Sequence, residues 1–216
     1  MNSKSLLFCS IALWACFSSA ANAANWTGYY VGGQIGYATG TTAALDNNGT
    51  PSTDIDYDGF LGGVTFGYNH NINKFIIGAE GDYSFASVSG SGDGGPGWGC
   101  GTPDVCTFEV KQLATVRVRF GYDFGNILPY ATAGIAYGKT SGELGGCPTG
   151  WCGEDTQTGS VYGVGAEFAI NAKLSAKVEL LHVDLGTSTF GPGNGGAGFQ
   201  ADFNFNTVRA GVNYRF

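Results

Sequence analysis

All-β, closing as an eight-stranded antiparallel up-and-down transmembrane β-barrel behind a cleavable signal peptide: three observations on this 216-residue sequence predict that architecture. First, residues 207–216 alternate without a break: Val208, Ala210, Val212, Tyr214 and Phe216 are apolar, and Thr207, Arg209, Gly211, Asn213 and Arg215 are not. A period of two marks a strand with one greasy and one wet face. Ten tilted residues span roughly the 25 Å apolar band of an outer-membrane barrel, and the strand ends on an aromatic residue. Second, seven earlier segments repeat the pattern, joined by connections that alternate long and short. Third, the charges within the strands sit on the glycine-bearing faces, and the apolar faces carry no Lys or Arg there.

Taken in order, the first segment (26–38) sets Tyr29, Val31, Ile35 and Tyr37 against Gly32, Gln34 and Gly36. A long polar stretch (39–57) leads to the second, with Phe60, Val64, Phe66 and Tyr68, which a short turn (69–74) closes. The third carries Phe75, Ile77, Ala79, Tyr83 and Phe85 and ends in a glycine-rich loop (88–106). The fourth sets Val110, Ala114, Val116, Val118, Phe120 and Tyr122 against Lys111, Thr115, Arg117 and Arg119. A turn (123–126) opens the fifth, with Ala131, Ala133, Ile135 and Tyr137, and a loop (140–157) follows. The sixth presents Tyr162, Val164, Ala166 and Phe168. A tight turn (170–173) leads to the seventh, with Ala176, Val178 and Leu180, and the last long loop (186–199) returns the chain to the final strand. An even strand count with alternating loop lengths places both termini on the periplasmic side and the long loops outside. Closure removes the unpaired sheet edge that lipid would not tolerate, so the first strand must pair with the last.

Sorting the charges separates this barrel from a soluble one, which would be apolar inside and charged outside. Glu80, Asp82, Glu167 and Glu179 share the glycine-bearing register with Arg117, Arg119, Lys177 and Arg209. In a narrow lumen such charges must pair, because an unpaired charge in low dielectric is costly, and eight strands leave just enough interior for side chains to fill. A plugged lumen follows. Glu109 and Lys111 are assigned to the same inward register, nearer the outer mouth. Leu113 and Leu181, also inward, have no explanation at this level. Aromatic residues at strand ends (Tyr68, Tyr122, Tyr214, and Trp26 where the first strand splays) would form a periplasmic girdle.

Composition agrees. Thirty-eight glycines, 14% aromatic residues and 12% charged residues favour short strands and glycine-rich loops over a helical globule. Residues 1–23 have the charged start (Lys4), apolar run and Ala21-Asn22-Ala23 site of a secretory signal, leaving 24–216 as the barrel domain. The remaining chain carries nine Lys/Arg against seventeen Asp/Glu, an acidity that argues against nucleic-acid binding. Four cysteines stay with it: Cys100, Cys106, Cys147 and Cys152. In an exported chain they read as disulfides, within each loop or across the two, and their spacing does not match a usual zinc site.

Trp26-Thr27-Gly28-Tyr29-Tyr30-Val31-Gly32-Gly33, Thr115-Val116-Arg117-Val118-Arg119-Phe120-Gly121-Tyr122 and Arg209-Ala210-Gly211-Val212-Asn213-Tyr214-Arg215-Phe216 resemble the small porin-like major outer-membrane proteins of alphaproteobacteria, within the OmpA-like barrel superfamily. The resemblance covers essentially the whole exported chain. It implies a surface barrel in the outer membrane, monomeric or weakly oligomeric, embedded in lipid and lipopolysaccharide, often immunogenic, contributing to envelope integrity. Val212, Tyr214 and Phe216 resemble the signal read by the barrel-assembly machinery. The loop cysteines depart from the family pattern.

Other chemistry is weak. Asp54-Ile55-Asp56-Tyr57-Asp58-Gly59 opens like a calcium loop, but Thr65 stands where the bidentate Glu belongs. Glu80 with Asp82 could mimic a glycosidase pair, and His182 with Asp184 a lipid-acyl enzyme, though no serine is tied to either histidine. Gly163-Val164-Gly165 lacks the helix a nucleotide loop needs. No enzyme, cofactor or metal is expected. A structural barrel is the leading expectation, ahead of a small-solute porin and of a loop-based receptor or adhesin for a host surface.

Overall fold

A computed structural model describes residues 25–46, 49, 51–92, 106–144, 152–190 and 199–216. The expected signal peptide lies outside them, as do Cys100, Cys147 and the side chain of Cys152. Nine strands run β1 (Gly28–Thr42), β2 (Ala44–Asp46), β3 (Ile55–Ile72), β4 (Phe75–Gly92), β5 (Cys106–Tyr122), β6 (Ile127–Leu144), β7 (Cys152–Ala169), β8 (Leu174–Phe190) and β9 (Phe199–Arg215). Eight of them pair antiparallel with their neighbours, and β1 pairs with β9 from Tyr30↔Arg215 to Gly40↔Phe205, which closes the barrel. The short β2 continues β1 along β9.

Local chemistry fixes the tight turns. Asn73 adopts a left-handed conformation (φ 62°) between β3 and β4, which asparagine tolerates. Asp123 Oδ1 accepts the Gly125 N–H at 2.7 Å between β5 and β6. Asn171 Oδ1 accepts the Lys173 and Leu174 N–H groups, each at 2.8 Å, between β7 and β8.

The strands are much longer than the alternation suggested. At about 3.4 Å per residue and a tilt near 40°, strands of 17 or 18 residues make a barrel roughly 45 Å tall, whereas an apolar membrane band needs only about 25 Å. Much of the four expected long loops is therefore strand. The surplus forms a second storey with its faces exchanged. Near the turns, outward residues are apolar and exposed, as with Ile35 (71%) and Phe60 (73%), and inward residues are polar. Towards the loops, Tyr57, Phe108, Val110, Val183, Phe190, Phe199, Phe203 and Phe205 fill the interior with an apolar core. Their outward neighbours are Asp56, Asp58, Glu109, Glu143, Asp202, Asn204 and Asn206. Leu113 and Leu181, unexplained in the sequence, belong to this core: they are the inward positions at which the lumen changes from charged to greasy.

Bulges adjust the register at the join. Pairing shifts between Phe85 and Val88 on β4, between Val110 and Gln112 on β5, and between Asp184 and Thr187 on β8. At the last, Gly186 takes φ +71°, a backbone state that glycine adopts without a Cβ penalty. The β5 bulge corrects the assignment of Glu109 and Lys111 to the lumen. The extra residue flips every position before it to the other face, so Phe108 and Val110 turn inward and Glu109 and Lys111 lie on the outer surface.

Candidate functional site

The lumen of the turn-side storey holds the chemistry. Strand pairing sets Glu80 beside Arg117, Glu167 beside Lys177, and Glu179 beside Arg209. Because barrel strands tilt, long side chains also meet partners several strands away. Arg117 Nη2 lies 2.5 Å from Glu80 Oε1 and 3.1 Å from Asp82 Oδ2, and its Nη1 is 3.0 Å from Glu179 Oε1. Its Nε donates to Thr115 Oγ1 at 3.0 Å. Lys177 Nζ reaches Glu80 at 2.9 Å and Glu179 at 3.4 Å, and Arg209 Nη1 holds the second oxygen of Asp82 at 2.9 Å. Arg119 pairs with Glu167 at 2.9 Å and with Glu80 at 3.6 Å. All eight residues singled out from sequence thus converge, each at most 7% exposed.

Residues not singled out complete the network. Tyr30 donates to Glu80 Oε2 at 2.7 Å and accepts from Arg119 at 3.0 Å. Tyr130 donates to Glu179 at 3.0 Å, and the Arg119 guanidinium carbon lies 3.8 Å from its ring centroid. Glu167 also accepts from Ser175 at 2.5 Å and from Asn213 at 3.2 Å. Both tyrosines lie on glycines. A Cβ on Gly67 would fall 2.3 Å from the Tyr30 ring, and one on Gly165 2.6 Å from the Tyr130 ring. Inward glycines therefore make room for the rings, a signal present in the alternation of glycine with charge but not specific enough to name the tyrosines.

Below the charges sits a second unforeseen part. Trp26, expected in an exposed girdle, is fully buried with Ile76, Leu128 and Tyr130 at the turn end of the lumen. Its Nε1–H lies between Asp123 Oδ1 (3.2 Å) and the Gly125 carbonyl (3.1 Å), and the Arg215 guanidinium carbon stands 4.7 Å from its ring. Arg215 Nη1 in turn donates to the Asn25 carbonyl at 2.5 Å. The segment before β1 therefore crosses the barrel mouth instead of splaying outward. Tyr68, Tyr122 and Tyr214 do lie at this end, within contacts that also take in Tyr29, Phe124 and Phe216.

Three layers thus occupy the interior: an indole stopper, a charged network and an apolar core. Ion pairs this buried cost desolvation that only dense pairing and further hydrogen bonds offset.

The other sequence candidates are dispersed. Asp56 and Asp58 are not on a calcium loop but on the outer face of β3, accepting hydrogen bonds from Thr41 at 2.7 Å and from Tyr37. Glu80 and Asp82 are held by cations. His182 Nδ1 lies 3.0 Å from Asn206 Oδ1 on the outer face. Val212, Tyr214 and Phe216 point outward at the turn end. Cys106 is disulfide-bonded, and the connectivity falls outside the described residues. Among the described residues no group of three or more His, Cys, Asp or Glu could hold a metal ion. On the loop-side surface, Glu154 lies 2.6 Å from Lys139 Nζ and 2.9 Å from Lys111 Nζ. These hydrogen bonds, Lys139 first, hold its carboxyl down to about 2.

Comparisons with known proteins match this architecture. Residues 8–216 fit the family model described as outer membrane protein beta-barrel domain. The chain is 33% identical over 246 residues to the 31 kDa outer-membrane immunogenic protein of Brucella melitensis, covering 99% of this chain and 100% of that one. It is 28% identical over 203 residues to a 22 kDa outer membrane protein of Rhizobium leguminosarum bv. viciae, with 90% and 80% covered. In fold it is similar to the outer membrane protein OprG of Pseudomonas aeruginosa, with a TM-score of 0.58 at 14% identity over 89% of this chain and 98% of that one. An exterior apolar belt, an interior charge network and these relatives lead to one conclusion: the chain belongs to the outer membrane protein β-barrel family, and its place is the bacterial outer membrane.

Proposed function

We propose that this protein is a sealed structural barrel of the outer membrane, contributing to envelope integrity and presenting its loop-side storey at the cell surface, with both termini in the periplasm. The observation that carries this reading is the filled interior. Arg117 alone contacts three carboxylates, and the layers on either side of it are apolar. An ion entering the charged layer would have to break buried pairs that are shared among several strands, where each loss is expensive. A diffusion pore would instead leave such charges lining open water. The reading makes the role structural, not catalytic.

The exterior supports the same role. The apolar belt suits embedding among lipid and lipopolysaccharide. The outward-facing Val212, Tyr214 and Phe216 would be read by the barrel-assembly machinery before the strand is buried in membrane. With each charge of the lumen paired within the same barrel, no second subunit is needed to neutralise it, so a monomer or weak homo-oligomer is expected.

Single-channel recording of the purified, folded protein in planar bilayers tests the proposal. Silence, or rare transitions without a preferred size, is expected. Steady openings of one size would replace the sealed barrel with a small-solute porin. Specific binding of host cells that is lost when the loop-side tips are shortened would add a receptor role.

A further inference from the structure

Strands β7 and β8 separate before either of them ends. Their pairing runs from Ala169↔Ser175 to Ser160↔Asp184 and stops there. Both strands continue towards the loops, each held from its other side. β7 pairs with β6 as far as Glu143↔Cys152, and β8 pairs with β9 as far as Phe190↔Phe199. The separation begins beside the β8 bulge, where Gly186 takes φ +71°. Two sheet edges therefore face each other across a fissure, 153–159 on one side and 185–190 on the other.

Asp155 spans this fissure. Its Oδ1 accepts the Thr156 N–H of β7 at 2.8 Å, and its Oδ2 accepts the Thr189 N–H of β8 at 3.2 Å. Gln157 Nε2 donates to the same Oδ2 at 2.6 Å. Directly paired strands stand about 4.8 Å apart and hold no side chain between their backbones. One carboxylate thus serves both edges as the carbonyls of an intervening strand would. Exposure marks the same seam. Gly153, Asp155, Gln157 and Gly159, on the inner face of β7, are partly exposed, whereas Leu185, Ser188 and Phe190 on β8 are buried.

We propose that the fissure accepts one extended segment of another protein as an added strand. An unpaired edge is a template for strand addition, and here two edges are presented together. The incoming backbone takes the Thr156 and Thr189 N–H groups from Asp155. The released carboxylate is then best met by a cation, because its present donors are all uncharged N–H groups. The occupant is therefore a strand of about six residues, roughly 20 Å long, with Lys or Arg on the side that meets Asp155. Thr156, Thr158, Thr187 and Thr189, all exposed, give it β-branched neighbours. A second copy of this chain in the same membrane does not fit: its tilted strands would cross β7 instead of lying antiparallel to it. The proposal rests on the reading that the loop-side storey stands at the cell surface. The charged network lies below the fissure, so the occupant leaves the barrel sealed.

Fluorescence anisotropy of a labelled hexapeptide that alternates threonine and arginine, titrated with the full folded barrel in detergent, tests it. Saturable one-to-one binding is expected. The same peptide N-methylated at alternate amides keeps every charge but loses ladder donors, and should bind about tenfold more weakly or worse. A peptide alternating threonine with glutamate should weaken by a similar factor. Amide exchange followed by NMR should slow at Thr156 and Thr189 when the arginine peptide is bound. Thr156→Pro removes one N–H that faces the fissure and should abolish binding; if that variant does not fold, the N-methylated peptide still decides. Equal binding of the methylated peptide would mean that charge alone holds it, and overturns the proposal. Absence of binding also overturns it, and makes Asp155 a guard that keeps the edges unpaired. The purified barrel gives this answer whatever its conductance and whichever side of the membrane its loops occupy, so the two readings fail separately.

Discussion

Arg117 and Glu80 are cross-strand partners on β4 and β5, and their side chains meet at 2.5 Å in the middle of the lumen. Glu80 is also the hub of the network, with Lys177 at 2.9 Å and Tyr30 at 2.7 Å on its two oxygens. Removing its charge leaves Arg117 and Lys177 each with an uncompensated share of a buried partnership.

Glu80→Gln should therefore lower the free energy of unfolding by about 3–5 kcal/mol, the range for breaking one side of a buried pair. Urea unfolding in lipid vesicles measures it. Conductance should not rise, because the indole stopper and the apolar core remain on either side of the network. Unchanged stability combined with a new large pore would contradict the plugged lumen.

Replacing Phe203 by Ala acts on the other storey. Phe203 is fully buried and its ring meets Tyr57, Phe108 and Phe190 at centroid distances of 6.0–6.2 Å. Truncation should cost about 3–5 kcal/mol, felt as local opening of the loop-side half. Proteolysis from the loop side should accelerate while the turn-side storey stays protected. Uniform destabilisation of both halves would mean that the storeys unfold as one unit.

Those two variants also mark what could and could not be read from sequence. Glu80, Arg117 and Arg209 were legible because charge on a strand otherwise greasy on one face leaves only one direction in which it can point. Strand pairing and the closure of β1 on β9 followed from parity and from the need to leave no edge in lipid. Phe203 and Phe205 were hidden because the alternation rule looked for greasy residues facing out, and in the loop-side half they face in. The period is the same and only its phase relative to the surroundings differs, so apolar 203 and 205 between polar 202, 204 and 206 fall outside the alternating segment read over 207–216. Glu109 and Lys111 were misplaced because a single-residue bulge reverses every face beyond it, and a bulge at 85–88 or 110–112 has no distinctive residue to announce it. Trp26 was missed for another reason. Its partners Asp123, Gly125 and Arg215 lie far away in sequence, and nothing local tells an indole that stoppers a barrel from one that floats at an interface.

Trp26→Ala should remove the stopper without opening a path. Loss of a buried indole costs about 3–5 kcal/mol, and the change also frees Arg215, which stands 4.7 Å above the ring. Urea unfolding should register the loss. Collisional quenching before mutation should find the Trp26 emission shielded from iodide. Easy quenching in the folded wild type would place the side chain at the membrane interface instead.

Acid should loosen the loop-side surface at one identifiable place. Glu154 is held between Lys139 at 2.6 Å and Lys111 at 2.9 Å, and these two hydrogen bonds lower its carboxyl from the ordinary 4.5 to about 2. A carboxyl whose folded value lies below its unfolded value stabilises the fold above the unfolded value, and that contribution disappears as pH falls through the folded one. The Glu154 contribution should thus be complete above about pH 4.5 and vanish towards pH 2. The cluster is solvent-exposed, so salt should screen it and its effect on global stability should be small. NMR titration of the Glu154 carboxyl carbon checks the midpoint, and Lys139→Met, which removes the larger of the two influences, should move it upward. A midpoint near 4.5 in the wild type would mean that the two lysines do not hold Glu154 in solution.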